Sequence, residues 1–126
     1  MNTQDAVNIL MVDDQPGKLL TYEAILSDLG ENLVKATSAK EALEKLLKTD
    51  VAVVLMDVSM PEMDGYATMQ VIRQNTSFRR LPIIALTAKA MKGDREKCLE
   101  AGASEYLAKP VNTEQLLSAL RMWLHR

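Results

Sequence analysis

The sequence predicts an open, doubly wound α/β sheet built from five β–α repeats. Three observations carry that prediction. Short apolar runs alternate with helical patterns about every ten to fifteen residues. Three of the runs are continuously apolar rather than alternating, which suits strands covered on both faces. The 126 residues, 48% hydrophobic and 25% charged, make one domain with a core large enough to stand alone and leave no room for a second.

The first run is Ile9-Leu10-Met11-Val12, and the helix after it opens at Pro16, whose missing N–H costs nothing in a first turn. That helix places Leu19, Tyr22, Leu26 and Leu29 on one stripe. Leu33-Val34-Lys35-Ala36 is the second run. The capping-box pattern Ser38-Ala39-Lys40-Glu41 follows, with Ala42, Leu43, Leu46 and Leu47 directed inward. Val51-Ala52-Val53-Val54-Leu55-Met56 is the third run, and the helix after Asp64-Gly65 offers Tyr66, Met69 and Ile72. After Ile83-Ile84-Ala85-Leu86, a helix with Cys98, Leu99 and Ala101 on its apolar side runs to a C-terminal stop at Gly102. Tyr106-Leu107-Ala108 is the last run, and the last helix starts near Asn112 and shows Leu116, Leu120, Trp123 and Leu124. The mixed-sign run from Lys92 to Lys97 reads as a solvated helix face.

Composition narrows the function. With 15 Lys and Arg against 17 Asp and Glu, the net charge is -2, without the basic footprint of a nucleic-acid or acidic-membrane binder. The single cysteine, Cys98, excludes an internal disulfide and a cysteine-built zinc site. The single histidine, His125, is next to last and poorly placed for a catalytic pair. No stretch approaches the ~18 apolar residues of a membrane span, and Met1-Asn2-Thr3-Gln4-Asp5 lacks the pattern of a signal peptide. The expectation is a cytoplasmic domain, either free-standing or cut from a longer chain.

In doubly wound sheets, ligands sit outside the carboxyl ends of the strands, where the strand order reverses. The first run ends in Asp13-Asp14, the third in Asp57, the fourth in Thr87 and the fifth in Lys109-Pro110. Singly, each has an ordinary role as a turn former, cap or loop residue. Together they put three carboxylates, a hydroxyl and an ammonium at one sheet edge. Two negative charges are left over, and a divalent cation would cancel them. Oxygen ligands without His or Cys favour magnesium or manganese over zinc. With the metal bound, Asp57 could attack a phosphoryl group to form an acyl phosphate, with Lys109 and Thr87 serving its oxygens. Neither of the common Gly-rich phosphate loops occurs.

Four segments match a family pattern: Val12-Asp13-Asp14; Leu55-Met56-Asp57-Val58-Ser59-Met60-Pro61-Glu62-Met63-Asp64-Gly65; Leu81-Pro82-Ile83-Ile84-Ala85-Leu86-Thr87-Ala88; and Gly102-Ala103-Ser104-Glu105-Tyr106-Leu107-Ala108-Lys109-Pro110. In this order and spacing they resemble the receiver domain of two-component response regulators, over almost the whole chain (one domain, 1–126, with a core of about 7–125). The segment 85–110, especially 90–102, resembles receivers attached to hybrid histidine kinases more than those fused to DNA-binding outputs.

The resemblance implies a flavodoxin-like five-stranded parallel sheet of order 2-1-3-4-5 with five flanking helices. It implies that Asp57 accepts a phosphoryl group from a partner's phosphohistidine and is later dephosphorylated, with no turnover of an external substrate. The partner would be a histidine kinase or a histidine phosphotransfer domain, or the kinase portion of the same polypeptide, with neither nucleic acid nor direct membrane contact. Asp14, Asp57 and the backbone carbonyl of Ser59 are then direct magnesium ligands, and Asp13 acts mainly through water. Thr87 and Lys109 sense the phosphoryl group, Tyr106 is the switch aromatic and the Lys109-Pro110 bond is cis. Val111 departs from the pattern, standing where many members carry Phe or another bulky apolar residue.

Three other readings remain at this point. A magnesium-dependent aspartate-nucleophile phosphatase would place a second acid two residues after the nucleophile, where this chain has Ser59. A flavodoxin-like FMN binder would carry a phosphate loop after the first strand, where the acidic pair stands. A pseudo-receiver acting only as a protein-binding module would not need the full acid, Thr and Lys set.

Overall fold

The three continuously apolar runs become the three inner strands of a parallel sheet. In the computed structural model, which describes residues 6–58, 65–87, 92–109 and 111–124, β1 (Asn8–Val12), β2 (Asn32–Ala36), β3 (Val51–Asp57), β4 (Ile83–Thr87) and β5 (Glu105–Ala108) are ordered β2-β1-β3-β4-β5. Strands β1, β3 and β4 are bounded by strands at both edges and by helices on both faces, so they tolerate no polar interior. The edge strands β2 and β5 are only partly buried, which accounts for Lys35 and Glu105 within them.

Successive side chains alternate across the sheet and divide the core in two. Leu10, Val12, Val54, Met56, Ile83 and Ala85 face α2 (Ala39–Lys48), α3 (Gly65–Gln74) and α4 (Lys92–Ala101). Ile9, Met11, Val53, Leu55, Ile84 and Leu86 face α1 (Pro16–Leu26) and α5 (Thr113–Leu124). Each fully buried Leu or Ile contributes about 1.5–3 kcal/mol relative to exposure. Among the described residues no helix is long and apolar enough to cross a membrane.

The helix ends largely follow their sequence signals. The Ser38 hydroxyl accepts from Glu41 N–H, but the Glu41 carboxylate reaches Thr37 N–H rather than that of Ser38, one residue earlier than a capping box requires. At the end of α4, Gly102 N–H donates to Leu99 C=O and Ala103 N–H to Cys98 C=O, with Gly102 at φ +121°, a Schellman-type stop. Asn112 Oδ1 caps α5 through Gln115 N–H. Helix α1 ends at Leu26, and Ser27–Leu29 tightens into a 3₁₀ turn.

Two inward assignments are corrected. Leu47 and Leu99 are exposed, because α2 and α4 have a sheet on one side only and their buried stripes are filled by Ala42 and Leu46, and by Cys98 and Ala101. The solvated face of α4 is seen at Arg95, Glu96 and Lys97, which are exposed, and two of its cations also lie over rings: Lys97 Nζ 4.5 Å from the centre of the Tyr66 ring and the Arg95 guanidinium 5.9 Å from that of Tyr106.

A feature absent from the sequence reading is Arg73, at the end of α3. Its guanidinium donates to the carbonyls of Gly102 (2.9 Å), Phe78 (2.7 Å) and Leu81 (2.6 Å), joining the approach to β4 to the α4–β5 turn. Burial lowers its pKa from the ordinary value. A Cβ at Gly102 would stand 2.7 Å from Arg73 Cγ. Replacing Arg73 by Met strands three carbonyls and is expected to lower stability in denaturant titrations by about 2–4 kcal/mol. Gly102→Ala should also destabilise, through its positive φ and its collision with Arg73; unchanged midpoints for both would refute the clamp.

Candidate active site

The parallel register brings the chemistry to one edge. Val12 pairs with Met56, Asp57 with Leu86, and Thr87 with Ala108. The ladder continues past the strand ends through Asp13 N–H to Ala36 C=O, Val58 N–H to Leu86 C=O and Lys109 N–H to Thr87 C=O. Asp13, Asp57, Thr87 and Lys109 are thereby assembled from four distant segments. Alternation then sorts them. Asp13, Asp57 and Lys109 fall on the α1/α5 face, while Thr87 shares the α4 face with Ala85 and Tyr106, which pair across β4 and β5.

Asp57 is 2% exposed at its side chain, and its Oδ2 lies 2.7 Å from Lys109 Nζ. Asp13 is fully buried. One of its oxygens accepts from Gln15 N–H at 3.0 Å and so fastens the start of α1, whose N-cap residue makes no side-chain cap of its own. Its other oxygen, Oδ2, is buried without a hydrogen-bond partner. Burial, opposed by the Gln15 N–H and reinforced by the charge of Asp57, pushes the Asp13 pKa up to about 6.

Among the described residues no three His, Cys, Asp or Glu side chains form a ready metal cage. The residues do fit a hard cation that keeps most of its waters. Magnesium is typically held by one or two carboxylates, and here a buried carboxylate oxygen lacks any donor beside a second buried carboxylate. Zinc finds no His or Cys among the residues at this edge.

Asp14, half-buried after Asp13, keeps its place beside this edge. Ser59 and Pro110, predicted as a carbonyl ligand and a cis-peptide residue, lie outside the described residues, as does His125. Thr87 is buried and Tyr106 half-buried. Sequence reasoning missed three participants. Gly65 is one: a Cβ there would lie 2.7 Å from the Asp57 carbonyl oxygen and from Val58 Cα, so only glycine lets α3 begin against the end of β3. Its place after Asp64 could have signalled this. Gln15 and Tyr22 carried no such signal.

The chain matches the response regulator receiver domain family over residues 9–121. It belongs to that family. As a receiver domain it is a component of two-component signalling, and the expected likeness to receivers of hybrid histidine kinases holds. It is 39% identical over 115 residues to the signal transduction histidine-protein kinase BarA of Shigella flexneri, covering 91% of this chain and 12% of that protein. The receiver therefore spans only a small part of such a kinase. The receiver domain of a sensor histidine kinase from Pseudomonas aeruginosa PAO1, solved with a magnesium ion coordinated in its active-site cleft, superposes with a TM-score of 0.86 at 38% identity, covering 97% of this chain and 100% of that one. The chemotaxis protein CheY4 of Vibrio cholerae superposes at 0.88 with 30% identity, covering 95% and 100%.

Asp13 sets a pH dependence. Its folded-state pKa of about 6 exceeds the ordinary 3.8, so between these values the folded receiver holds a proton that the unfolded chain has lost. Its contribution to stability is fully present below the lower value and is lost as pH rises through the upper one. In chelator, Asp13→Asn should therefore raise the melting temperature at pH 7.5 by on the order of 5 °C relative to wild type, and by much less at pH 4. A pH-independent difference would contradict the buried, raised carboxylate.

Proposed function

We propose that Asp57 is the phosphoacceptor of this receiver, taking a phosphoryl group from a phosphohistidine on a histidine kinase or histidine phosphotransfer domain, or on the kinase portion of the same polypeptide. The observation that carries the reading is the buried Asp57 carboxylate held 2.7 Å from Lys109 Nζ, beside the unpartnered Asp13 oxygen. A carboxylate oxygen of Asp57 forms the new P–O bond as the P–N bond breaks, and the departing imidazole keeps the electron pair and takes up a proton. In the reverse sense of the signal, water attacks phosphorus, inorganic phosphate leaves and the carboxylate is restored.

Lys109 supplies positive charge to a phosphoryl oxygen and Thr87 a hydroxyl donor to another. Asp13, Asp14, Asp57 and the Ser59 carbonyl would hold magnesium or manganese, whose charge neutralises the phosphoryl oxygens. Asp13 also anchors the start of α1 through Gln15, so ligation and helix position are joined in one side chain. The site works in the cytoplasm and engages neither nucleic acid nor membrane.

Phosphorylation adds charge and acceptor oxygens at Asp57. Thr87 moves toward them, and the room it leaves on the α4 face accepts Tyr106, which shares that face two residues down the ladder. That turn takes Tyr106 away from Arg95 and changes the α4–β5–α5 surface. A complete shift from 1:99 to 99:1 needs about 5.5 kcal/mol of preference for one state.

Incubation with phosphoramidate and magnesium should add one phosphoryl group by intact mass. None should appear with chelator or in Asp57→Ala, and Lys109→Ala should slow uptake by about 10–100-fold. Uptake independent of Asp57 would overturn the assignment, and sustained turnover of phosphate esters would favour a hydrolase. For the switch, Tyr106→Ala should abolish the phosphorylation-dependent shifts of amide resonances in α4 and β5 while Asp57 is still phosphorylated; shifts equal to those of the wild type would remove Tyr106 from the switch.

A further inference from the structure

The α1/α5 face, which carries Asp13, Asp57 and Lys109, also carries a tyrosine that the phosphoryl chemistry leaves unused. Tyr22 lies on the buried side of α1 with Leu19 and Leu26 and is 9% exposed. With Lys18, Thr21, Ile25, Lys109 and Val111 it lines a cavity of about 250 Å³. The cavity is partly open to solvent on the Lys18 and Thr21 side and is smaller than the ~300–1,000 Å³ of small-molecule pockets. Tyr22 and the short side chain of Val111 line it together with Lys109.

Lys109 needs a wall. It follows an edge strand of four residues, none of them fully buried, and its backbone is tied to β4 by its N–H to the Thr87 carbonyl. Its flexible four-carbon stem carries about 2 kcal/mol of rotamer entropy, which opposes holding the ammonium in one place. A rigid ring beside the stem reduces the number of alternatives. Burial, and then the charges of Asp57 and Asp13, push the Tyr22 phenol up to about 12, in keeping with its place near the two carboxylates.

We propose that Tyr22 is a positioning residue for Lys109, its ring walling the lysine stem from the α1 side and holding the ammonium over Asp57 where the phosphoryl group arrives. This rests on the phosphoacceptor reading, and its consequences can be separated from it. Tyr22 acts through Lys109 and touches no reacting atom.

The test is a double-mutant cycle on the full chain, reading phosphoryl uptake from phosphoramidate with magnesium. Tyr22→Val should slow uptake by about tenfold, since small misplacements of a catalytic group are costly, and should change the residual uptake of Lys109→Ala by less than twofold. Tyr22→Phe, which keeps the ring, should recover at least half the wild-type rate. Adding Val111→Phe to Tyr22→Val should restore uptake by filling the gap from the other side. A Tyr22→Val effect of the same size with and without Lys109 would overturn the proposal, as would no effect. Tyr22→Leu serves as the ring-less variant if Tyr22→Val does not fold. The ¹⁵Nζ resonance of Lys109 in unphosphorylated protein gives a second reading: it should move toward that of a solvent-exposed lysine in the ring-less variants and stay in place in Tyr22→Phe. An unmoved resonance counts against the wall even if wild-type protein takes up no phosphoryl group, the outcome that would instead sink the phosphoacceptor reading.

Discussion

The ion pair between Lys109 and Asp57, 2.7 Å long and largely removed from water, is the interaction around which the rest of the site is arranged. Two neighbouring carboxylates, Asp13 and Asp57, are buried at the end of an apolar sheet, where charge is expensive. Lys109 offsets one of them. The other is left with a raised pKa and an oxygen that no donor satisfies. Such an edge is, on the phosphoacceptor proposal, where a cation and the phosphoryl oxygens would be received. The cost of burying charge falls at this edge, and the inner strands beneath it supply the stability.

The pleat of the sheet divides the residues proposed for chemistry from those proposed for readout. Asp13, Asp57 and Lys109 belong to the α1/α5 face, whereas Thr87 and Tyr106 belong to the face covered by α4. Thr87 is the residue that meets the site from the other side. It is the last residue of β4, whose five residues are all buried, while the neighbouring β5 is only half-buried and its Tyr106 lies under Arg95 of α4. On the phosphoacceptor proposal, an event at Asp57 would act through a fully buried strand on a half-buried one.

Much of this was legible because parallel sheets leave a strong pattern. A continuously apolar run ending in a polar residue marks an inner strand and its functional end together, so Asp13, Asp57 and Thr87 could be named without coordinates. Lys109 followed from its place after the last run. Arg73 was not legible, because its partners are backbone carbonyls brought to it by tertiary structure. The exposure of Leu47 and Leu99 was hidden for a related reason: helical periodicity shows which residues share a stripe, but the width of the stripe depends on what packs against it. Tyr22 read as an ordinary core residue, since only the folded chain brings it to the cavity that Lys109 and Val111 also line.

The central claim concerns one oxygen atom pair, the carboxylate of Asp57, and it can be read at that residue. Borohydride reduces an acyl phosphate and turns the aspartate that carried it into homoserine, which peptide sequencing by mass spectrometry locates. After phosphoryl transfer from a phosphorylated histidine phosphotransfer domain in magnesium, the account predicts homoserine at position 57 and at no other acidic residue. Homoserine at position 13 or 14, or a stably phosphorylated protein with no reducible aspartate, would contradict it.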